Sequence, residues 1–86
     1  MYEKLMNHYL TKFNSNITEK TKEQVKITFD ESISGENIFK ASMKYTSEVK
    51  ITYVRGKINV IFYIFKLKDN WIIEVAKFLE KLDSMV

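Results

Sequence analysis

Eighty-six residues with a formal charge of +3 and neither cysteine nor proline make one small domain, residues 1–86, that no disulfide or thiolate-bound metal can staple. Its stability must come from burial, for which 45% hydrophobic residues, with 14% of the chain aromatic, are sufficient. Residues 1–10 carry charges where a secretory signal has its apolar stretch, and the longest apolar run, residues 60–65, is far too short to span a bilayer, so a cytoplasmic protein with no membrane partner is expected.

In chain order, Tyr2, Leu5, Met6, Tyr9, Leu10 and Phe13 recur at helical spacing. They predict an amphipathic helix that ends before Asn14-Ser15-Asn16. Residues 14–23 are polar and without a period, which reads as a loop. Val25, Ile27 and Phe29 then alternate with Lys26 and Thr28, the period of a half-buried strand. A turn-rich connection follows over residues 30–37, and Phe39, Ala41, Met43 and Tyr45 alternate with Lys40, Ser42 and Lys44, which predicts a second strand over residues 38–45.

The stretch over residues 49–66 reads as a β-hairpin. Val49, Ile51 and Tyr53 alternate with Lys50 and Thr52, and Arg55-Gly56 supplies a two-residue turn, since glycine reaches positive φ without a Cβ clash. The second arm is apolar on both sides: Ile58, Val60, Phe62 and Ile64 on one, Ile61, Tyr63 and Phe65 on the other. A strand apolar on both faces has to be covered on both, by its own chain or by a partner. A last helix opens near Asp69-Asn70, either of which can cap it. It carries an apolar stripe of Trp71, Val75, Phe78 and Leu82, widened by Ile72, Leu79 and Met85, with Glu74, Lys77, Glu80 and Lys81 opposite.

These patterns add up to an α+β fold of two layers: an N-terminal helix, a four-stranded antiparallel meander and a C-terminal helix. Both helices lie on the face lined by Val49, Ile51, Val60 and Phe62. The other face then gathers Lys26, Lys40, Ser42, Lys44, Lys50, Thr52, Lys57 and Asn59 around Ile61, Tyr63 and Phe65, with Lys50 directly opposite Ile61 across the hairpin.

The charge is unevenly placed. Residues 46–67 hold Lys50, Arg55, Lys57 and Lys66 against Glu48, which amounts to the whole excess of +3. Aromatics on a lysine-rich sheet face are one recipe for single-stranded nucleic acid, with bases stacking on rings and ammonium groups holding phosphates. On that reading Lys44, Lys50, Arg55, Lys57 and Tyr63 form the site. Thirteen lysines to one arginine suit a solvated surface better than bidentate phosphate recognition, however, and the aromatic motifs of RNA-binding sheet proteins are absent. The favoured expectation is a protein contact centred on Ile61, Tyr63 and Phe65 with Lys50 on its rim. Its partner is a protein with an acidic surface or a second copy of the chain, and the domain is an adaptor or inhibitor.

No catalytic kit is visible. The chain has one histidine, His8, beside the apolar stripe of the first helix, with no cysteine and no carboxylate one turn away. Asp30, Glu31 and Glu36 lack the spacing of a calcium loop, and Gly35 and Gly56 are the sole glycines, too few for a phosphate-binding loop. The Asn16-Ile17-Thr18 glycosylation match means little without secretion, and Trp71 reads as a core anchor. No metal and no cofactor are expected, and the chain is read as a non-enzyme.

Overall fold

The computed structural model describes residues 1–43, 49–63 and 70–86. Its elements run α1 (Tyr2–Lys12), β1 (Asn16–Lys20), β2 (Gln24–Phe29), α2 (Gly35–Met43), β3 (Val49–Val54), β4 (Lys57–Tyr63) and α3 (Trp71–Asp83). The fold is α+β, with an N-terminal helix, a four-stranded antiparallel sheet and a C-terminal helix. The sheet order is β1-β2-β4-β3. It is therefore not a simple meander: β4 pairs with β2 on one side and β3 on the other, so β2 and β3 run parallel with β4 between them. α2 makes the crossover from β2 to β3, a split β-α-β unit.

Two elements differ from the sequence reading. The segment expected as a strand over residues 38–45 is the helix α2 as far as Met43. Phe39, Ala41 and Met43 satisfy a period of two, but Ile38 and Ala41 also fall at i, i+3, and these are the two residues that the helix buries. The segment has no β-branched residue after Ile38 and is rich in helix formers. Ser34 starts the helix, its hydroxyl oxygen accepting from the Asn37 backbone N–H at 3.3 Å and its carbonyl from that of Ile38 at 3.1 Å. The fourth strand is instead β1, within the stretch expected as a loop. It is a polar edge strand whose one apolar inward residue is Ile17, and its register shifts between Ile17 and Glu19, so no alternation could show.

The remaining elements follow their patterns. α1 buries Met6 and Leu10 and closes with a Schellman motif: Asn14, at φ 52°, donates to the Thr11 carbonyl at 3.1 Å, and the Ser15 N–H donates to that of Leu10 at 2.9 Å. The β3–β4 turn is Arg55-Gly56 with both φ positive, 51° and 78°, as a type I′ turn requires, and Val54 pairs with Lys57. α3 buries Val75, Ala76, Phe78, Leu79 and Leu82. Asn70 precedes it without a side-chain capping hydrogen bond, and Asp69 lies outside the described residues.

All three helices contribute to one core with Val25, Ile27 and Phe29 of β2 and Val60 and Phe62 of β4. Phe62 meets Phe78 edge to face, with centroids 5.2 Å apart. The helices therefore cover one face of the sheet, and among the described residues none covers the other.

Candidate functional site

The uncovered face is built by strand parity. Val25, Ile27, Phe29, Val60 and Phe62 turn into the core, so Gln24, Lys26, Thr28, Asn59, Ile61 and Tyr63 turn out. β3 adds Lys50 and Thr52. Ile61 sits between Lys26 of β2 and Lys50 of β3, each its direct neighbour across a strand pair. Tyr63, next on the same side of β4, pairs with Gln24. One row further along, Thr18, Thr28 and Asn59 are joined by side-chain hydrogen bonds of 2.8 and 2.7 Å, with Thr52 opposite Asn59. The face thus has a satisfied polar row beside a short apolar line with ammonium groups at its sides.

Of the expected protein-binding residues, the structure brings Lys50, Ile61 and Tyr63 together; Phe65 lies outside the described residues. Ile61 and Tyr63 are half-buried rather than exposed, because neighbouring side chains of the sheet shield a central strand. Of the residues weighed for nucleic acid, Lys50 and Tyr63 share this face and Arg55 and Lys57 lie at the hairpin tip; Lys44 lies outside the described residues.

The tip is not a free cationic patch. It faces the loop after β2, where Asp30, Glu31 and Ser32 line an open depression together with Arg55, Gly56 and Lys57. A Cβ at Gly56 would run into the Glu31 carboxylate. Asp30 accepts from the Ser32 hydroxyl, from the Ser32 backbone N–H at 2.9 Å and from Asn14 Nδ2 at 2.6 Å. These bonds, the Ser32 hydroxyl's first, hold its carboxyl below the ordinary carboxylate value, with a smaller contribution from the charge of Lys57. Lys26, on the outer face, lies 3.7 Å from Glu19, whose other oxygen accepts from Gln24 Nε2 at 2.9 Å. Among the described residues Lys50 makes no ion pair, which leaves it as the open cation beside Ile61.

A second group of residues escaped the sequence reading. Among the described residues Phe39, Met43, Tyr53 and Val54 are the large apolar side chains most exposed outside the chain ends, between 52% and 71%. Reading residues 38–45 as a strand sent Phe39 and Met43 inward. At about 100° per residue a helix puts them instead on a flank away from Ile38 and Ala41. Tyr53 has inward parity, opposite Ile58, but stands near the hairpin tip on an edge strand and so runs past the core. The signal that could have found them is the Ser34 cap, which starts a helical count from Gly35.

His8 is exposed and meets Tyr9 ring to ring, and among the described residues no group of three His, Cys, Asp or Glu side chains is placed to hold a metal. An open depression of about 540 Å³ between α1 and β1 is lined by Asn7, Leu10, Thr11, Asn14, Ser15, Asn16 and Ile17, none of them titratable. No helix among the described residues is long and apolar enough to cross a membrane.

The sequence matches no family model and has no detectable similarity to a curated protein. The fold is similar to that in a crystal structure of the C-terminal domain of transcription-repair coupling factor, with a TM-score of 0.78 over 93% of this chain at 20% sequence identity. The chain spans 53% of that structure's length, and at this identity the likeness is one of fold.

Proposed function

We propose that this domain works by binding another protein, as an adaptor or inhibitor, and performs no catalysis. The observation that carries this reading is the sheet face that no described helix covers, which centres on Ile61, between Lys26 and Lys50, and on Tyr63 beside it. An apolar centre with a charged rim is the usual anatomy of a protein interface. The open charge of Lys50 favours an acidic partner surface, with the rim setting encounter rate and partner choice while the apolar centre slows dissociation. Phe65, which the sequence pattern groups with Ile61 and Tyr63, belongs to the same proposal. Likeness of fold to a domain of a larger, multi-part protein is compatible with a docking role and does not name the partner.

The test is co-purification from the cell of origin combined with light scattering of the isolated domain. Wild type should retain a partner or elute as a dimer, and Ile61→Asp should lose that association with an unchanged circular dichroism spectrum. A domain that stays monomeric and partnerless, or an association indifferent to Ile61→Asp, overturns the reading.

Single-stranded nucleic acid is the second reading, favoured by Tyr63 sharing a face with Lys26 and Lys50. Carboxylates stand against it at three places: Glu19 beside Lys26, and Asp30 and Glu31 at the hairpin tip.

A further inference from the structure

We propose that the edge of β3 that no described strand pairs, with Phe39 and Met43 of α2 on its helix side and Tyr53 near its end, takes an extended segment of a partner protein in which apolar and acidic side chains alternate. This rests on the reading of the domain as protein-binding and specifies how the partner engages.

The two sheet edges are treated differently. β1 is polar and short and its register is broken by a shift at residues 17–19, features that blunt an edge against strand pairing. β3 has none of them. Its six residues pair with β4 in unbroken register from Val49↔Phe62 to Val54↔Lys57, and no described strand pairs with its other side. Alternate residues of β3 therefore direct N–H and C=O groups away from the sheet. A straight, regular edge of this kind is a template for an added strand.

The helix above it supplies the apolar side. α2 crosses from β2 to β3 over β4, so close that a Cβ at Gly35 would lie 3.1 Å from Ile58 Cδ1. Ile38 and Ala41 enter the core, and α2 packs against α3. By helical spacing Phe39 and Met43 continue the flank of α2 that begins at Gly35, which faces Ile58, the partner of Tyr53 across the hairpin, and they are 56% and 70% exposed. Tyr53 points to the same side of the sheet from the far end of β3 and is 71% exposed. A strand laid along β3 would turn every second side chain to the helix side of the sheet, that of Phe39, Met43 and Tyr53, so those positions should be apolar. The intervening side chains would point to the other sheet face, beside Lys50, Thr52 and Val54.

Charge chooses the occupant. Lys50 is the charged side chain of β3, it lacks an ion pair among the described residues, and Arg55 follows at the turn. Acidic side chains on the added strand would meet Lys50 directly, across a strand pair, where opposite charges favour pairing. A second copy of the chain would bring another lysine to this row and no carboxylate from its β3, so self-pairing is disfavoured.

The probes are an acetylated octapeptide of alternating valine and glutamate, its valine–lysine counterpart, and a scrambled valine–glutamate peptide, titrated into the whole domain by amide NMR. The alternating acidic peptide should shift amides of β3 and α2, and bind at least tenfold more tightly than the other two. Phe39→Asp and Tyr53→Asp, both at exposed positions that should leave the fold intact, should each weaken it at least tenfold. The absence of any shift in β3, equal binding of the lysine peptide, or a β3-mediated homodimer overturns the proposal. A partner retained by the Phe39 and Tyr53 variants but lost in Ile61→Asp would also overturn it, while leaving the protein-binding function standing.

Discussion

Phe62 is the residue on which the two layers depend. It lies in β4 between Val25 and Val49, has no solvent exposure, and sets its ring against Phe78 of α3 at an interplanar angle of 80°. Truncation to alanine removes the ring from a site that the sheet holds open, so the loss combines transfer and cavity terms at about 3–5 kcal/mol. The edge-to-face pair with Phe78 accounts for about 0.5–1.5 kcal/mol of that loss. A domain of this length has a stability on the order of 4–13 kcal/mol, so one truncation consumes a large part of it. At about 4–8 °C per kcal/mol, the midpoint of a thermal melt followed by circular dichroism should fall by roughly 12–40 °C. A double-mutant cycle with Phe78→Ala should return a coupling of about 0.5–1.5 kcal/mol. Tyr53→Ala is the control, since a residue so exposed should change stability by no more than about 0.5 kcal/mol. A Phe62→Ala variant melting within about 4 °C of wild type, equivalent to less than about 1 kcal/mol, would refute the packing of α3 on β4 described here.

Arg55→Asn should stabilise the hairpin by on the order of 0.5 kcal/mol in urea titrations, since Arg55 holds φ 51° and Asn-Gly is the preferred pair for a type I′ turn; a loss of stability would count against that turn. The pKa of Asp30 is lowered by folding, so its contribution is fully present above the ordinary carboxylate value of 3.8 and is lost as pH falls through the lower folded value. Asp30→Asn should therefore destabilise at neutral pH, with the gap to wild type closing below the ordinary value; a gap constant down the acid limb would contradict the sign. A labelled single-stranded oligonucleotide should show little binding at low salt, because carboxylates offset the hairpin cations. Tight, steeply salt-dependent binding weakened by about 1–3 kcal/mol in Tyr63→Ala would restore the nucleic-acid reading.

What could be read from sequence was whatever carried a strong apolar period. α1, β2, the β3–β4 hairpin and α3 each bury a stripe or one face, and the Lys50–Ile61 register follows once Arg55-Gly56 is a two-residue turn. β1 was illegible because an edge strand with one apolar inward side chain has no alternation to display. α2 was misread because a nine-residue helix with two buried positions leaves its remaining apolar residues free to imitate a strand. That single misreading also hid the exposed flank of Phe39 and Met43. It hid the strand order too: a crossover helix between β2 and β3 lets β4 enter between them, whereas four consecutive strands suggest a meander.

The charge pattern went furthest from its linear form. In sequence the excess of +3 is concentrated in residues 46–67 and points to a basic face. In the fold the loop after β2 brings Asp30 and Glu31 to the hairpin tip, and β1 brings Glu19 to Lys26, so acids from distant positions sit among those lysines. Long-range attraction of a polyanion needs a contiguous positive field, which interleaved carboxylates flatten. Lys50 escapes this cancellation among the described residues, and it does so on an edge strand, beside Ile61. An isolated cation between an apolar line and an unpaired strand edge discriminates between partners by local pairing more than by net charge. Lys50→Glu should accordingly weaken an acidic protein partner by tenfold or more and leave thermal stability within about 0.5 kcal/mol of wild type, since the side chain is exposed. A partner bound as tightly by Lys50→Glu as by wild type would show that the open charge of β3 has no part in recognition.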